Sequence, residues 1–150
     1  MNKRQCFLHV FLPLFLGGLV YVLWRDPKTL MFRWSDSLRM GGLISAIRLT
    51  GKLDANMPQW VRYSLPDGLW VYSLTAFMTL VWRDTDSWLR SAWVAVGLIV
   101  GCGIEFGQLI GVVPGSFDTG DLVACITGFV LALVFTSEIN FKRSLNDASI

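Results

Sequence analysis

Uncharged apolar runs recur along the chain at lengths suited to a bilayer. The first, residues 6–24, is nineteen positions long with His9 as its only strongly polar side chain. That is close to the roughly 20 residues a helix needs to cross a hydrocarbon core of about 30 Å. The second run, residues 68–82, is fifteen long and too short by itself. Ser64-Leu65-Pro66-Asp67 ahead of it reads as a helix start, with Ser at the N-cap, Pro in the first turn and Asp three residues after the Ser. A third run covers 91–117 with Glu105 as its single charge, and a fourth covers 122–137 with none. The pattern predicts an all-α fold: a single domain, 1–150, forming a polytopic membrane helical bundle with four transmembrane helices at about 6–24, 65–82, 88–113 and 121–137.

Trp24, Trp70, Trp82 and Trp88 fall at or within three residues of the ends of these runs, where an aromatic belt at the membrane surface places them. Between the first two spans, residues 25–67 hold seven of the thirteen basic residues. Apolar positions 40, 43, 44 and 47 follow helical spacing there, which predicts one or two amphipathic helices lying in the interface. Lys3 and Arg4 before the first run resemble the start of a signal peptide, but Arg25-Asp26-Pro27 follows where small residues would prepare cleavage, so a retained anchor is expected.

Composition narrows the classes. Of 150 residues 53% are hydrophobic and 16% charged, with a mean hydropathy of +0.52, which excludes an ordinary water-soluble enzyme. A net charge of +2 with dispersed basic residues excludes a phosphate-binding face, so nucleic acid is not an expected partner. Cys6, Cys102 and Cys125 lie among apolar residues without metal spacing, and no metal or cofactor is expected. Basic residues close to the span ends, Lys3, Arg4, Arg83, Arg90, Lys142 and Arg143, place both termini in the cytoplasm and the 114–121 loop outside. Membrane lipid is the expected surrounding, and association with a second copy or with a membrane complex stays open.

The chemistry concentrates in the third and fourth spans. With a helix centred near Cys102, Glu105 lies about 4 or 5 Å from the bilayer centre, where a carboxylate costs around 3 kcal/mol and needs burial, a partner or a proton. Gly97, Gly101, Glu105 and Gln108 share an arc of about 80° on that helix, which makes a groove with a carboxylate in it. Gly103, Gly107 and Gly111 form an adjoining ridge suited to close helix approach, and on the fourth span Asp121, Cys125, Gly128 and Ala132 share a face. A tight hairpin of the last two helices is therefore expected, bringing Glu105, Gln108, Asp118 and Asp121 into one candidate polar site. Simpler roles stand beside this one: Asp118 and Asp121 as the capping of the last helix, one acid at the cap and the other in the first turn facing the positive end of the dipole, Gln108 as an interhelical hydrogen-bonding group, Glu105 as a neutral bonded group, and His9 as a structural residue.

The spacing Glu105-x-x-Gln108, then Val113-Pro114-Gly115-Ser116-Phe117-Asp118-Thr119-Gly120-Asp121, then a hydrophobic helix containing Gly128, resembles the VanZ-like family of small bacterial membrane proteins over about residues 100–135. Gly115 or Ser116 stands where that family's loop carries Arg, and Cys125 where its last helix carries Asn. The resemblance implies a bacterial inner (cytoplasmic) membrane protein linked to cell-envelope physiology, without an assigned reaction. An intramembrane enzyme on a lipid-linked substrate, with Glu105 as general acid or base, and a small carrier or helper subunit are the alternatives.

Overall fold

The computed structural model describes residues 3–25, 30–50, 57–85 and 87–147. Every regular element among them is a helix: α1 Lys3–Trp24, α2 Leu30–Ser37, α3 Gly41–Thr50, α4 Gln59–Val81, α5 Trp88–Leu109 and α6 Thr119–Asp147. Three stretches are long and apolar enough to cross a membrane: Lys3–Trp24, Trp88–Leu109 and Thr119–Thr136. Their large apolar side chains point outward, among them Phe7, Phe11 and Phe15 on α1, Ile99 and Ile104 on α5, and Val123 and Val130 on α6. So continuous an apolar exterior suits lipid as the solvent, not water.

Helix α4 falls outside that set because it is the centre of the bundle. It packs on α1, α5 and α6, and its buried residues are mostly small or polar: Ser64, Gly68, Ser73, Thr75, Ala76 and Thr79. Small residues let helix backbones approach closely where no hydrophobic effect drives them together. The connections make α4 antiparallel to α1 and α5 and parallel to α6. Thus Val10 meets Ser73 while Gly17 meets Pro66 and Trp70, and Ser64 lies by Gly120 while Gly68 lies by Ala124 and Gly128.

Three expected boundaries shift. Helix α4 begins at Gln59, capped by Pro58, so Pro66 sits inside it and Ser64 is a buried packing residue, not an N-cap. Pro66 has no N–H for the Arg62 carbonyl, a cost that neighbouring helices in a bundle can absorb; its ring is fully buried. Helix α5 ends at Leu109, short of 113. Val112 N–H donates to the Gly107 carbonyl at 2.8 Å and Gly111 N–H to that of Gln108 at 3.1 Å, with Gly111 at φ +73°; these are the paired bonds of a Schellman stop. Helix α6 continues to Asp147, beyond 137. Trp70, expected at a span end, is in the middle of α4 and packs against Tyr21 with the rings tilted and their centroids 5.4 Å apart.

The segment after α1 forms two short helices. Phe32 is buried and stacks on Tyr21 at 6.2 Å, whereas Leu38, Met40 and Leu43 face outward. In α1 one widened turn, Phe7–Phe11, precedes Pro13, whose ring would clash with the His9 carbonyl in a regular helix. His9 Nδ1 lies 2.6 Å from the Tyr72 hydroxyl, and the Ser73 hydroxyl donates to the Val10 carbonyl at 2.8 Å. The structural role for His9 therefore has a named partner. Tyr72→Phe is expected to lower stability in detergent by about 1 kcal/mol, the net worth of one such bond; an unchanged melting curve would mean that this pair does not anchor α1.

Candidate functional site

The cavity begins with α4. Counting from its observed start, Asp67, Trp70, Val71 and Leu74 recur at helical spacing on one face, and all four line a cavity of about 850 Å³. A cavity of that size suits a molecule more than a bare ion. Gly97 and Gly101 of α5 face the same space because their positions admit nothing larger. A Cβ on Gly97 would lie 2.5 Å from Thr75 Oγ1, and one on Gly101 2.6 Å from Val71 Cγ2 and 3.0 Å from Cys125 Sγ. One turn further, Glu105 enters the cavity at 4% exposure.

The Schellman stop then turns the chain so that Pro114, Gly115 and Ser116 form the rim. The Gln108 amide lies against Gly115. Asp118 caps α6, its Oδ1 accepting the Gly120 N–H at 2.7 Å, and its own N–H donates to Glu105 Oε2 at 3.2 Å. Asp121, the third residue of the helix, is 7% exposed and lines the cavity, and its Oδ1 is buried with no hydrogen-bond partner among the described residues. Glu105, Gln108, Asp118 and Asp121 thus meet in one place. Asp118 serves as the cap and Asp121 stands in the first turn, the places the simpler reading gave them, and both also line the cavity.

The walls differ from expectation. The last two helices do not enclose the site by themselves: α6 packs mainly on α4, and the cavity is shared by the end of α1, by α4, by α5, by the turn that holds Pro114 to Asp118 and by Asp121 and Cys125 of α6. The face Asp121, Cys125, Gly128 and Ala132 is buried as predicted, but its Gly128 meets the Gly68 backbone of α4. Of the proposed ridge on α5, Gly103 and Gly111 have nothing within 4 Å of a Cβ, and Gly107 is covered by Val113 of the following turn. That ridge is not a helix-packing surface, because the groove-side glycines, Gly97 and Gly101, already carry the contact with α4.

Two further charged residues line the cavity. The Ser64-to-Asp67 pattern alone places Asp67 in a first helical turn; with the helix starting at Gln59 it lies inside the helix and lines the cavity. Arg25 follows Trp24 at the end of α1, and nothing in its local sequence distinguishes it from other flanking arginines. It lies 5.5 Å from the Tyr21 ring centre and 5.1 Å from that of Tyr63, and donates from Nη1 to the Tyr63 carbonyl at 3.4 Å. Its own carbonyl accepts Arg48 Nη2 at 2.8 Å, which ties α3 to the same corner. Arg25 acts electrostatically on both Asp67 and Glu105, but among the described residues it forms no direct ion pair with either of them or with Asp121.

Among the described residues no group of three or more His, Cys, Asp or Glu stands close enough to share a metal ion. A second cavity of about 490 Å³ lies between α4 and α6, walled by Trp60, Leu65, Leu69, Val123 and Leu131 and without a charged side chain. Comparison with family profiles, curated proteins and solved structures gives no match to this chain.

Proposed function

We propose that this is a VanZ-like inner-membrane protein of four spans that acts in cell-envelope physiology through a polar intramembrane cavity, without an assigned reaction. The observation that supports it is the convergence of Glu105, Gln108, Asp118 and Asp121, the residues that carry the resemblance, on one cavity. The family's loop arginine is missing here, yet Arg25 brings a guanidinium to the same cavity from α1. A cation therefore faces the acids without help from the loop.

The fourth span in this reading is α4. At 23 residues it is about 34 Å long, enough to cross. Enclosure by α1, α5 and α6 removes the need for it to be apolar, since its Ser and Thr side chains face protein. With both termini in the cytoplasm the cavity opens in the outer half of the bundle, and the two short helices after α1 lie at the outer interface. Topology reporters fused after Trp24 and after Trp82 are expected on opposite sides of the membrane. Reporters on the same side would show that α4 does not cross, and the four-span reading would be lost.

A further inference from the structure

The cavity has an unbalanced charge and a side opening. Among the described residues Asp67, Glu105, Asp118 and Asp121 line it together with one guanidinium, Arg25, which is held by two tyrosine rings and a backbone carbonyl. Burial of a carboxylate without a partner is costly, and Asp121 Oδ1 is such a group: buried, on a residue 7% exposed, with no hydrogen-bond partner among the described residues. A ligand that brings N–H donors and positive charge would satisfy it. The Arg25 guanidinium suits an anion on the same ligand, because Arg favours phosphate and carboxylate groups.

The opening indicates the rest of the molecule. Helices α1 and α5 both pack on α4 and both line the cavity, while their backbones make no substantial approach to each other, which leaves room for an opening between them. Val100 and Ile104 line it and are also outwardly exposed. In a four-span arrangement that gap faces lipid tails.

Resting on the membrane-cavity reading above, we infer that the cavity binds the headgroup of a membrane lipid carrying a primary ammonium beside a phosphate, with its acyl chains leaving between α1 and α5. Arg25 takes the phosphate. Asp121, with Asp67 and Glu105 nearby, takes the ammonium. A primary ammonium offers three N–H donors, whereas a trimethylated one offers none.

The test uses the full chain purified in mild detergent, with bound lipid read by native mass spectrometry. Phosphatidylethanolamine, phosphatidylcholine and phosphatidylglycerol with identical acyl chains are offered in turn. Phosphatidylethanolamine is expected to be retained at least about tenfold better than either, the worth of one hydrogen bond to a charged group. Asp121→Asn, which keeps the shape and removes the charge, should abolish that preference. Asp67→Asn, on a different helix, should reduce it in case the first variant does not fold. Arg25→Gln should weaken retention of all three lipids. Equal retention of the three by the unaltered chain, or an unchanged preference in folded Asp121→Asn and Asp67→Asn, overturns the proposal. Displacement of the lipid by an equal concentration of free phosphoethanolamine overturns the lipid and leaves a soluble zwitterion as the occupant. If lipid preference fails while Glu105 variants still abolish the cellular phenotype, the occupant is wrong and the polar site stands; failure of both removes the site.

Discussion

Gly128→Leu is expected to prevent the bundle from assembling, or to destabilise it by more than about 3 kcal/mol, above the usual cost of overpacking a core. A Cβ at this position would run into the Gly68 carbonyl and the backbone around it, and a backbone cannot rotate away as a side chain can. Gly68→Leu should behave alike, since its Cβ would lie 2.8 Å from the Ala124 carbonyl oxygen. Gly103→Leu is the control: nothing lies within 4 Å of its Cβ, and replacing Gly by Leu in an exposed helix improves helix propensity by somewhat under about 1 kcal/mol. Thermal melting in detergent compares the three. A Gly128→Leu protein that melts with the unaltered chain would mean that α4 and α6 are not in backbone contact, and the arrangement of the bundle would have to be redrawn.

Glu105 is expected to be the residue whose replacement most damages function. Glu105→Leu removes the acceptor of the Asp118 N–H and should lower stability by about 1 to 3 kcal/mol, the usual result of leaving a covered donor unmatched. Glu105→Gln retains an acceptor oxygen and the shape while removing ionisation. It is expected to melt close to the unaltered chain and to lose most of its ability to restore whatever phenotype a deletion strain shows. Full restoration by Glu105→Gln would make the residue a structural anchor for the turn, and acid–base or charge-dependent roles would fall.

The helical content and the three most apolar spans were legible because each is written in adjacent residues: an uninterrupted apolar run is a property of the chain alone. The buried face of α6 was legible for the same reason, through the spacing of Asp121, Cys125, Gly128 and Ala132. So was the groove face of α5, where the two glycines precede Glu105. The stop of α5 was also present in the sequence, as Gly111 ahead of two valines and Pro114, but the continued hydrophobicity of Leu109 to Val113 masked it. For α4 the proline misled, because Pro66 carries the same local signature inside a helix as in a first turn. Only packing against Gly17 and burial by its neighbours distinguish the two.

Local sequence thus determined which segments are helical, which of them suit lipid, and that Glu105, Gln108, Asp118 and Asp121 lie near one end of the last hairpin. Tertiary structure decided the partners. That α6 packs on α4, that Asp67 turns inward and that Arg25, eighty residues before Glu105, supplies the cation to the same cavity depend on how four helices are arranged around one another. The amphipathic period of a helix specifies which face is covered but not by which neighbour. Charge acts through space with no regard to separation along the chain, so an arginine at the end of one helix can face an acid on another with no trace in the spacing of either.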